Sequence, residues 1–196
     1  MIGATILAAG PSSRLGTPKQ TILYEGKTLL QHATEAAESA GCHPVVIVLG
    51  AHANVILNHF HSASATIVHN HNWQDGMSTS IAVGINALLQ AAGTIDAAII
   101  MVCDQPFADT TLLHKLIEQQ KLTGKGIAAS TYANTMGVPA LFDKKYFEIL
   151  QQLTGDEGAK KIMLLHRDDV ALVPFDKGTV DIDTVHDVEK FRKNES

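Results

Sequence analysis

The chain has 196 residues, which fits one domain, because domains usually contain about 100–200 residues. Hydrophobic residues make up 45% of the sequence and charged residues 18%, which is typical of a globular protein. The net charge of −5 argues against a nucleic-acid-binding protein, which needs a positive surface to bind phosphates.

The cysteines and the first apolar run indicate the compartment. Cys42 and Cys103 are the two cysteines, too few for a disulfide framework. The run from Ile2 to Ala9 has no basic leader and is much shorter than a membrane span of about 20 residues. We therefore expect a cytoplasmic protein with no membrane partner.

Short apolar runs alternate with helical patterns, which predicts an α/β fold of three layers with a mostly parallel sheet. The predicted strands are Thr5–Ala9, Val45–Leu49, Ala65–His69, Ala97–Val102, Ile127–Thr131 and Val170–Phe175, with a short one at Pro139–Phe142. No linker or repeat interrupts the pattern, so we expect residues 1–196 to form one domain.

Helices are predicted between these strands. One apolar stripe at helical spacing consists of Ile81, Ile85, Leu88 and Leu89, and another of Leu113, Leu116 and Ile117. Asp109 can cap the second of these helices. A last helix is predicted to begin at Thr184, where Asp187 completes a capping-box pattern.

Two polar segments directly follow predicted strands. Residues 10–19 follow the first strand, and Asp104-Gln105-Pro106 follow the strand that ends near Cys103. Ligands of open parallel sheets bind at the carboxyl ends of the strands. We therefore expect both segments at one ligand-binding edge.

The loop of residues 10–19 has the chemistry of a phosphate site. Gly10 leaves backbone amides accessible, Arg14 offers a planar fork for phosphate oxygens, and Lys19 offers a point charge. The loop has neither the P-loop spacing nor the Gly-x-Gly-x-x-Gly fingerprint. From residue types alone, a surface turn with two solvated cations remains an alternative.

The order of the motifs adds a family resemblance. Leu7-Ala8-Ala9-Gly10-Pro11-Ser12-Ser13-Arg14-Leu15-Gly16-Thr17-Pro18-Lys19 resembles the signature loop of the molybdenum cofactor cytidylyltransferases, which are MobA-like nucleotidyltransferases. Five further segments follow in the family's order: Gly76–Ser80, Asp104–Pro106, Gly137–Leu141, Gly155–Ala159 and Asp181–Thr184. Pro11 and Val185 depart from the usual pattern, and neither is an expected ligand.

The resemblance implies a Rossmann-like fold of the nucleotide-diphospho-sugar transferase type, and transfer of CMP from CTP to molybdopterin with release of pyrophosphate. It implies Mg²⁺ on Asp104 and Asp183, and catalytic roles for Lys19 and Arg14. The implied nucleotide-binding residues are Leu7, Ala8, Ala9, Gly10, Ser12, Ser13, Arg14, Lys19, Gly76, Ser80 and Asp104. The implied acceptor-binding residues are Gly137, Pro139, Gly155, Asp156 and Gly158.

The carboxylates also have simpler interpretations. Asp104 at a strand end suits Mg²⁺, which prefers hard oxygen ligands, but it can also form a turn. Asp183 can be a helix cap, and Asp181 is the alternative second ligand. His59/His61 and His69/His71 have a spacing that can bind zinc, although no cysteine cluster supports it, and exposed loop positions are the simpler interpretation.

Nucleotide choice and reaction class are less constrained. Within the family resemblance, Ala9 and the segment Pro139–Leu141 are similar to the CTP-using branch, which implies CTP rather than GTP; a methyl group at Ala9 would narrow the space for a purine. Gly76–Ser80 can bind ribose or base, or can only begin a helix, and Trp73 can stack on a ligand or pack against the protein. A GTP-dependent guanylyltransferase, a transferase with another small phosphorylated acceptor, and a carrier of finished cofactor are alternatives. A molybdoenzyme that receives the product is a possible partner.

Overall fold

The computed structural model describes residues 1–182 and Asp187, and these form one seven-stranded sheet, a small hairpin and six helices. In chain order the elements are β1 (Ile2–Ala8), β2 (Leu23–Tyr24), β3 (Lys27–Thr28), α1 (Leu29–Ser39), β4 (Val45–Leu49), α2 (Ala53–Leu57), β5 (Thr66–His69), α3 (Met77–Ala91), β6 (Ala97–Val102), α4 (Thr110–Thr123), β7 (Ile127–Tyr132), β8 (Thr135–Asp143), α5 (Phe147–Gln151), α6 (Lys160–Leu165) and β9 (Val170–Pro174).

The strand order of the large sheet is β5-β4-β1-β6-β8-β7-β9. Every neighbouring pair is parallel except the two that involve β8, which runs antiparallel to β6 and β7. The prediction of a mostly parallel sheet is confirmed. Helices are needed to return the chain between parallel strands, which explains the alternation of patterns in the sequence.

The sheet is covered on both faces, which confirms the three layers. Ala4 and Ile6 of β1 belong to one core, with Leu30 of α1 and Leu113 of α4. Leu7 of β1 points to the opposite face, into a second core. That core also contains Ile81, Ile85 and Leu88 of α3, and Phe147 of α5. Successive residues of one strand therefore serve two cores, which is why these strands are mostly apolar on both faces.

Both predicted helices between strands are confirmed as α3 and α4. The Asp109 carboxylate accepts a hydrogen bond from the Leu112 backbone N–H at 2.8 Å and caps α4 as predicted. Leu89 was placed on the buried stripe of α3, and that position was wrong, because its side chain is 42% exposed. The helix predicted from Thr184 lies outside the described residues.

Other elements were missed or predicted too short. α1 was missed, although its apolar residues recur at helical spacing and the helix buries Leu29, Leu30, Ala33, Ala36 and Ala37 on one face. Thr28 caps it by accepting a hydrogen bond from the Gln31 backbone N–H at 3.1 Å. β8 was predicted from Pro139 to Phe142, but it spans nine residues, since its first half contains Thr135 and Gly137, which weaken the strand pattern.

The parallel strands bring the polar loops to one edge of the sheet, which we call the carboxyl edge. Residues 10–19 follow β1 there, and Asp104 lies two residues beyond β6. Tyr132 ends β7 at the same edge, where antiparallel β8 begins. In the described part of the chain, no helix is long and apolar enough to cross a membrane.

Candidate active site

A cleft of about 380 Å³ opens at the carboxyl edge between the ends of β1 and β6. Its lining contains most of the predicted nucleotide-binding residues and one predicted acceptor-binding residue. These are Leu7, Ala8, Ala9, Gly10, Lys19, Gly76, Ser80, Asp104 and Asp156. Ser12, Ser13 and Arg14 do not line this cleft, although they lie in the loop that borders it.

Lys19 and Asp104 form an ion pair across the cleft. Each side chain is 17% exposed, so the pair is shielded from most solvent screening but accessible from the cleft. The hydroxyl of Ser12 accepts a hydrogen bond from the Lys19 backbone N–H at 3.1 Å, which holds the end of the loop. The fold thus joins a cation and a carboxylate 85 residues apart in the sequence.

The floor of the cleft is supported by Gln20, which sequence reasoning missed. Its side-chain N–H group donates to the Ala8 carbonyl at 2.8 Å, and that contact fixes the orientation of the amide. Its carbonyl oxygen has no hydrogen-bond partner among the described residues, although the side chain is buried. A buried amide beside a strand's last carbonyl is a tertiary contact that the polar loop sequence does not indicate.

Gly50 allows Trp73 to approach the loop that follows β1. A Cβ at position 50 would lie 2.7 Å from the Cβ of Trp73 and 2.8 Å from the carbonyl oxygen of Ala9. Trp73 is half-buried and lines the cleft, so packing against the protein and access to a ligand coexist.

The start of α3 contacts the loop before α6. Gly76 has a φ of 107°, and a Cβ there would lie 2.2 Å from the carbonyl group of Gly155. The Gly155 carbonyl accepts hydrogen bonds from the backbone N–H and the hydroxyl of Ser78, at 3.2 and 2.7 Å. One predicted nucleotide segment and one predicted acceptor segment are therefore in direct contact.

Asn70 orders the first turn of α3, and sequence reasoning missed it too. Its side-chain amide donates to the hydroxyl oxygens of Thr79 and Ser80, at 2.8 and 2.9 Å. Asn70 is 3% exposed, so these bonds are protected from water. Gly158 of the facing loop lies close to α3, since a Cβ there would be 3.2 Å from the sulfur of Met77.

Gly137 and Pro139, the other predicted acceptor residues, lie at the start of β8 and do not line the cleft described above. The Pro139 carbonyl accepts a hydrogen bond from the Ser130 hydroxyl at 2.6 Å. A Cβ at Gly137 would lie 2.2 Å from the phenol oxygen of Tyr132. The predicted acceptor residues thus fall into two groups, one on each side of Asp104 along the carboxyl edge.

The surroundings of Asp104 fit a divalent cation by the chemistry of their oxygens. The backbone carbonyl of Asp104 accepts a hydrogen bond from the Ile182 N–H at 3.0 Å, which brings the segment containing Asp181 to the end of β6. Burial, chiefly, raises the pKa of Tyr132, and the negative charges of Asp181 and Asp104 raise it further. Two carboxylates therefore act on one phenol, and Mg²⁺ usually takes one or two carboxylates plus substrate oxygens.

The metal prediction is only partly covered by the described residues. Asp183 lies outside them. Among residues 1–182 and Asp187, no group of three or more His, Cys, Asp or Glu side chains could hold a metal ion. His69 and His71 stack with ring centroids 6.0 Å apart.

Cys103 lies beside Asp104 and lines the cleft, but its thiol is protonated at neutral pH. Burial, and then the negative charge of Asp104, raise its pKa to about 12. Because the thiolate is the reactive form of cysteine, this side chain is a buried apolar group and not a nucleophile.

Comparison with known proteins agrees with this architecture. The model of the MobA-like NTP transferase domain matches residues 4–170. The chain belongs to this family. Nicotine blue oxidoreductase from Paenarthrobacter nicotinovorans is 32% identical over 168 residues, which cover 81% of this chain and 79% of that protein.

Solved structures give the same result. Rv0371c from Mycobacterium tuberculosis H37Rv is 29% identical, with a TM-score of 0.83, over 100% of this chain and 98% of the other. A manganese complex of the same mycobacterial protein is 26% identical, with a TM-score of 0.80, over 98% of each chain. The expectations of a MobA-like nucleotidyltransferase and of its mostly parallel α/β fold are thus confirmed.

Proposed function

We propose that residues 1–196 act as one domain that transfers CMP from CTP to the phosphate of molybdopterin and releases pyrophosphate. The opposition of Lys19 and Asp104 in a cleft bordered by the loop of residues 10–19 carries this proposal. Such a pair offers a cation to a phosphate and a carboxylate to a metal ion. A metal–triphosphate complex requires both groups, because it brings a metal ion and negatively charged phosphates to the same site.

The reaction follows from these charges. A phosphate oxygen of the acceptor forms a bond to the α-phosphorus of CTP, and the bond from that phosphorus to the bridging oxygen of pyrophosphate breaks. Because a phosphate monoester is already ionised near neutral pH, the acceptor needs no general base. The protein therefore contributes positioning and charge stabilisation, as in phosphoryl transfer generally.

The residues divide this work. Lys19 would stabilise negative charge on the α-phosphate, while Arg14 and the amides of Gly10, Ser12 and Ser13 would hold the β- and γ-phosphates. Asp104 and Asp183 would hold Mg²⁺, as the resemblance implies, with Asp181 as the alternative second ligand. A bound Mg²⁺ supplies a positive charge that offsets the phosphate oxygens. The manganese complex of the mycobacterial relative supports a divalent cation in this family.

The two substrates would share the wall formed by α3 and the loop before α6. Gly76 and Ser80 lie on the nucleotide side, and Gly155 packs directly on that helix start, with Asp156 in the cleft. Gly158, and Gly137 with Pro139 across the carboxyl edge, are the remaining acceptor candidates. A molybdoenzyme that takes up the product is the expected partner.

Pyrophosphate release tests the proposal. The purified protein is incubated with molybdopterin and Mg²⁺, and with CTP, GTP, ATP or UTP in turn. We expect pyrophosphate to appear with CTP, and a cytidine adduct of molybdopterin in the mass spectrum. Release with CTP and another phosphorylated acceptor would keep the enzyme class but replace the acceptor, and binding of molybdopterin without release would favour a carrier.

The nicotine blue oxidoreductase relative supports a second candidate, an oxidoreductase, since it is 32% identical along 79% of its length. The loop after β1 lacks the Gly-x-Gly-x-x-Gly fingerprint of dinucleotide-binding domains, which favours the transferase. An assay with nicotine blue and with reduced or oxidised nicotinamide dinucleotides separates the two candidates. Absorbance change at the nicotinamide band without pyrophosphate release from any triphosphate would establish the redox reaction.

A further inference from the structure

Tyr132, the last residue of β7, lies between two glycines from different parts of the chain. A Cβ at Gly137 in β8 would lie 2.2 Å from its phenol oxygen. A Cβ at Gly178, beyond β9, would lie 2.4 Å from the Cδ1 atom of its ring. Any side chain at either position would displace the tyrosine, so both segments are shaped to fit it.

The phenol also joins these segments by hydrogen bonds. It donates to the Val138 carbonyl at 3.2 Å and accepts from the side-chain amide of Gln105 at 3.3 Å. The same amide donates to the Gly178 carbonyl at 3.3 Å. Gln105 directly follows Asp104, so the network links the end of β6 to the start of β8 and to residues beyond β9.

The segment beyond β9 returns along the carboxyl edge to Asp104. β9 lies at the end of the sheet, three positions from β6, yet the Ile182 N–H donates to the Asp104 carbonyl at 3.0 Å. Phe175 and Gly178 of this returning segment both pack on the Tyr132 ring. Asp181 follows Gly178 by three positions and therefore belongs to this segment.

The side-chain carbonyl oxygen of Gln105 can still accept a hydrogen bond. Because its nitrogen must face the Gly178 carbonyl, its oxygen is fixed on the other side. That oxygen is buried and has no hydrogen-bond partner among the described residues. A group that brings a donor to this place, such as a water molecule on a hydrated cation, would satisfy it.

We infer that Tyr132 is a positioning residue that holds the start of β8 and residues 178–182, which include Asp181, against Asp104, and so presets the cation site. The inference rests on the proposed function, because it assumes that Asp104 and residues 178–182 act together on a metal–triphosphate complex. It adds a residue that contacts neither substrate but fixes two segments that do.

Mn²⁺ binding to the whole protein, measured by electron paramagnetic resonance with and without CTP, tests this inference. Tyr132→Phe keeps the ring and loses both hydrogen bonds, so we expect Mn²⁺ affinity to fall about tenfold, as for other changes behind a metal ligand. Gln105→Ala removes the same link from the other side and should act in the same direction. Pyrophosphate release should show a raised KM for Mn²⁺ and a smaller change in kcat.

Tyr146→Phe is the matched control, because it removes a phenol that donates to Asp169 at 2.6 Å at the opposite edge of the sheet. Its Mn²⁺ affinity should equal that of the parent. Equal affinities in Tyr132→Phe and the parent would overturn the inference, as would a parent that binds no Mn²⁺. If the parent binds Mn²⁺ but releases no pyrophosphate from CTP, the proposed function fails, while the affinity ratio still decides the role of Tyr132.

Discussion

Two ion pairs at opposite edges of the sheet show how similar residues serve different purposes. Lys19 and Asp104 meet at the carboxyl edge, on a loop after β1 and on the turn after β6. Lys145 and Asp169 meet at the other edge, 2.7 Å apart, just after β8 and just before β9. Each pair joins residues distant in the sequence, but their surroundings differ.

Asp169 is surrounded by protein donors. Besides Lys145, its carboxylate accepts from the Tyr146 hydroxyl at 2.6 Å and from the Gly126 backbone N–H at 2.9 Å. Burial alone would raise the pKa of this carboxyl, but the three donors outweigh it and lower the pKa to about 2. The protein itself supplies the donors that this carboxylate requires, which is typical of a structural role.

Asp104 instead faces a cleft. Its side chain pairs with Lys19, a residue of the loop that the family resemblance assigns to phosphates, and both line the same opening. A ligand that brings a cation to Asp104 and a phosphate to Lys19 can replace the pair without leaving either charge unsatisfied. The comparison shows that the surroundings of an ion pair, and not the pair itself, distinguish a candidate site from a fold contact.

The largest expected effect is that of Asp104→Asn on turnover. The change keeps the side chain's shape and removes its charge, so pyrophosphate release should fall about 100-fold or more, while the melting temperature stays within a few degrees of the parent's. Asp183→Asn should resemble it, and Asp181→Asn should be milder. Near-normal turnover in Asp104→Asn, in a folded protein, would exclude the metal role.

Lys19→Ala should lower kcat by about tenfold to 100-fold, because it removes a charge at the phosphates. Its free energy of unfolding should change by less than about 1 kcal/mol, because Asp104 stays accessible to water from the cleft when the lysine is removed. Lys145→Ala is the matched variant at the other edge and should leave kcat unchanged. Similar losses of kcat in Lys19→Ala and Lys145→Ala would show that the ion pairs at the two edges of the sheet do not differ in function.

The sequence was sufficient for the strands that are apolar on both faces, because β1, β4 and β6 read as continuous buried runs. It was also sufficient to place Asp104 and residues 10–19 at one edge, since parallel strands end together. It could not show that Lys19 reaches Asp104, because no local pattern encodes a contact across 85 residues.

Residues whose role depends on a distant backbone group were not predictable. Gln20 is recognisable only once the Ala8 carbonyl is in place, and Asn70 only beside the first turn of α3. In the sequence, Tyr132 looks like any tyrosine at the end of a strand. Its role becomes apparent only from its packing against Gly137 and Gly178 in the structure. The family resemblance supplied ligand candidates, whereas the residues that support them emerged from tertiary packing.

A smaller effect, on stability, is expected for Asp169→Asn. The variant should lose about 1–2 kcal/mol of the free energy of unfolding at neutral pH, because hydrogen bonds to a charged group are weakened. Its pyrophosphate release should match the parent's, which is the reverse of Asp104→Asn. Urea denaturation with parallel activity assays measures both quantities, and a loss of activity without a loss of stability would contradict the structural role.

Acid denaturation tests whether the charged form of Asp169 stabilises the folded protein. The pKa of Asp169 is about 2 in the folded protein and about 3.9 in the unfolded chain. The charged carboxylate therefore stabilises the folded state fully above about pH 4. The contribution is lost as the pH falls from about 4 towards 2. The free energy of unfolding should therefore decline less steeply in Asp169→Asn than in the parent over that window, and parallel declines would show that the three donors do not stabilise the charged form.

The smallest expected effect concerns nucleotide choice at Ala9. Its side chain is 6% exposed, and its carbonyl accepts a hydrogen bond from the Ala51 N–H at 3.0 Å, so the backbone here is held firmly. Ala9→Gly should then enlarge the pocket by one methyl group without moving the loop.

Relative to the parent, the ratio of kcat/KM for GTP to that for CTP should rise by about tenfold or somewhat more, since one such group is worth about 1–3 kcal/mol. It should not reverse a CTP preference fully, because hydrogen bonds to the base edge discriminate more strongly than volume does. Competition between the two triphosphates measures the ratio directly. A parent that prefers GTP would replace the cytidylyltransferase by a guanylyltransferase and leave the contrast between the two edges intact.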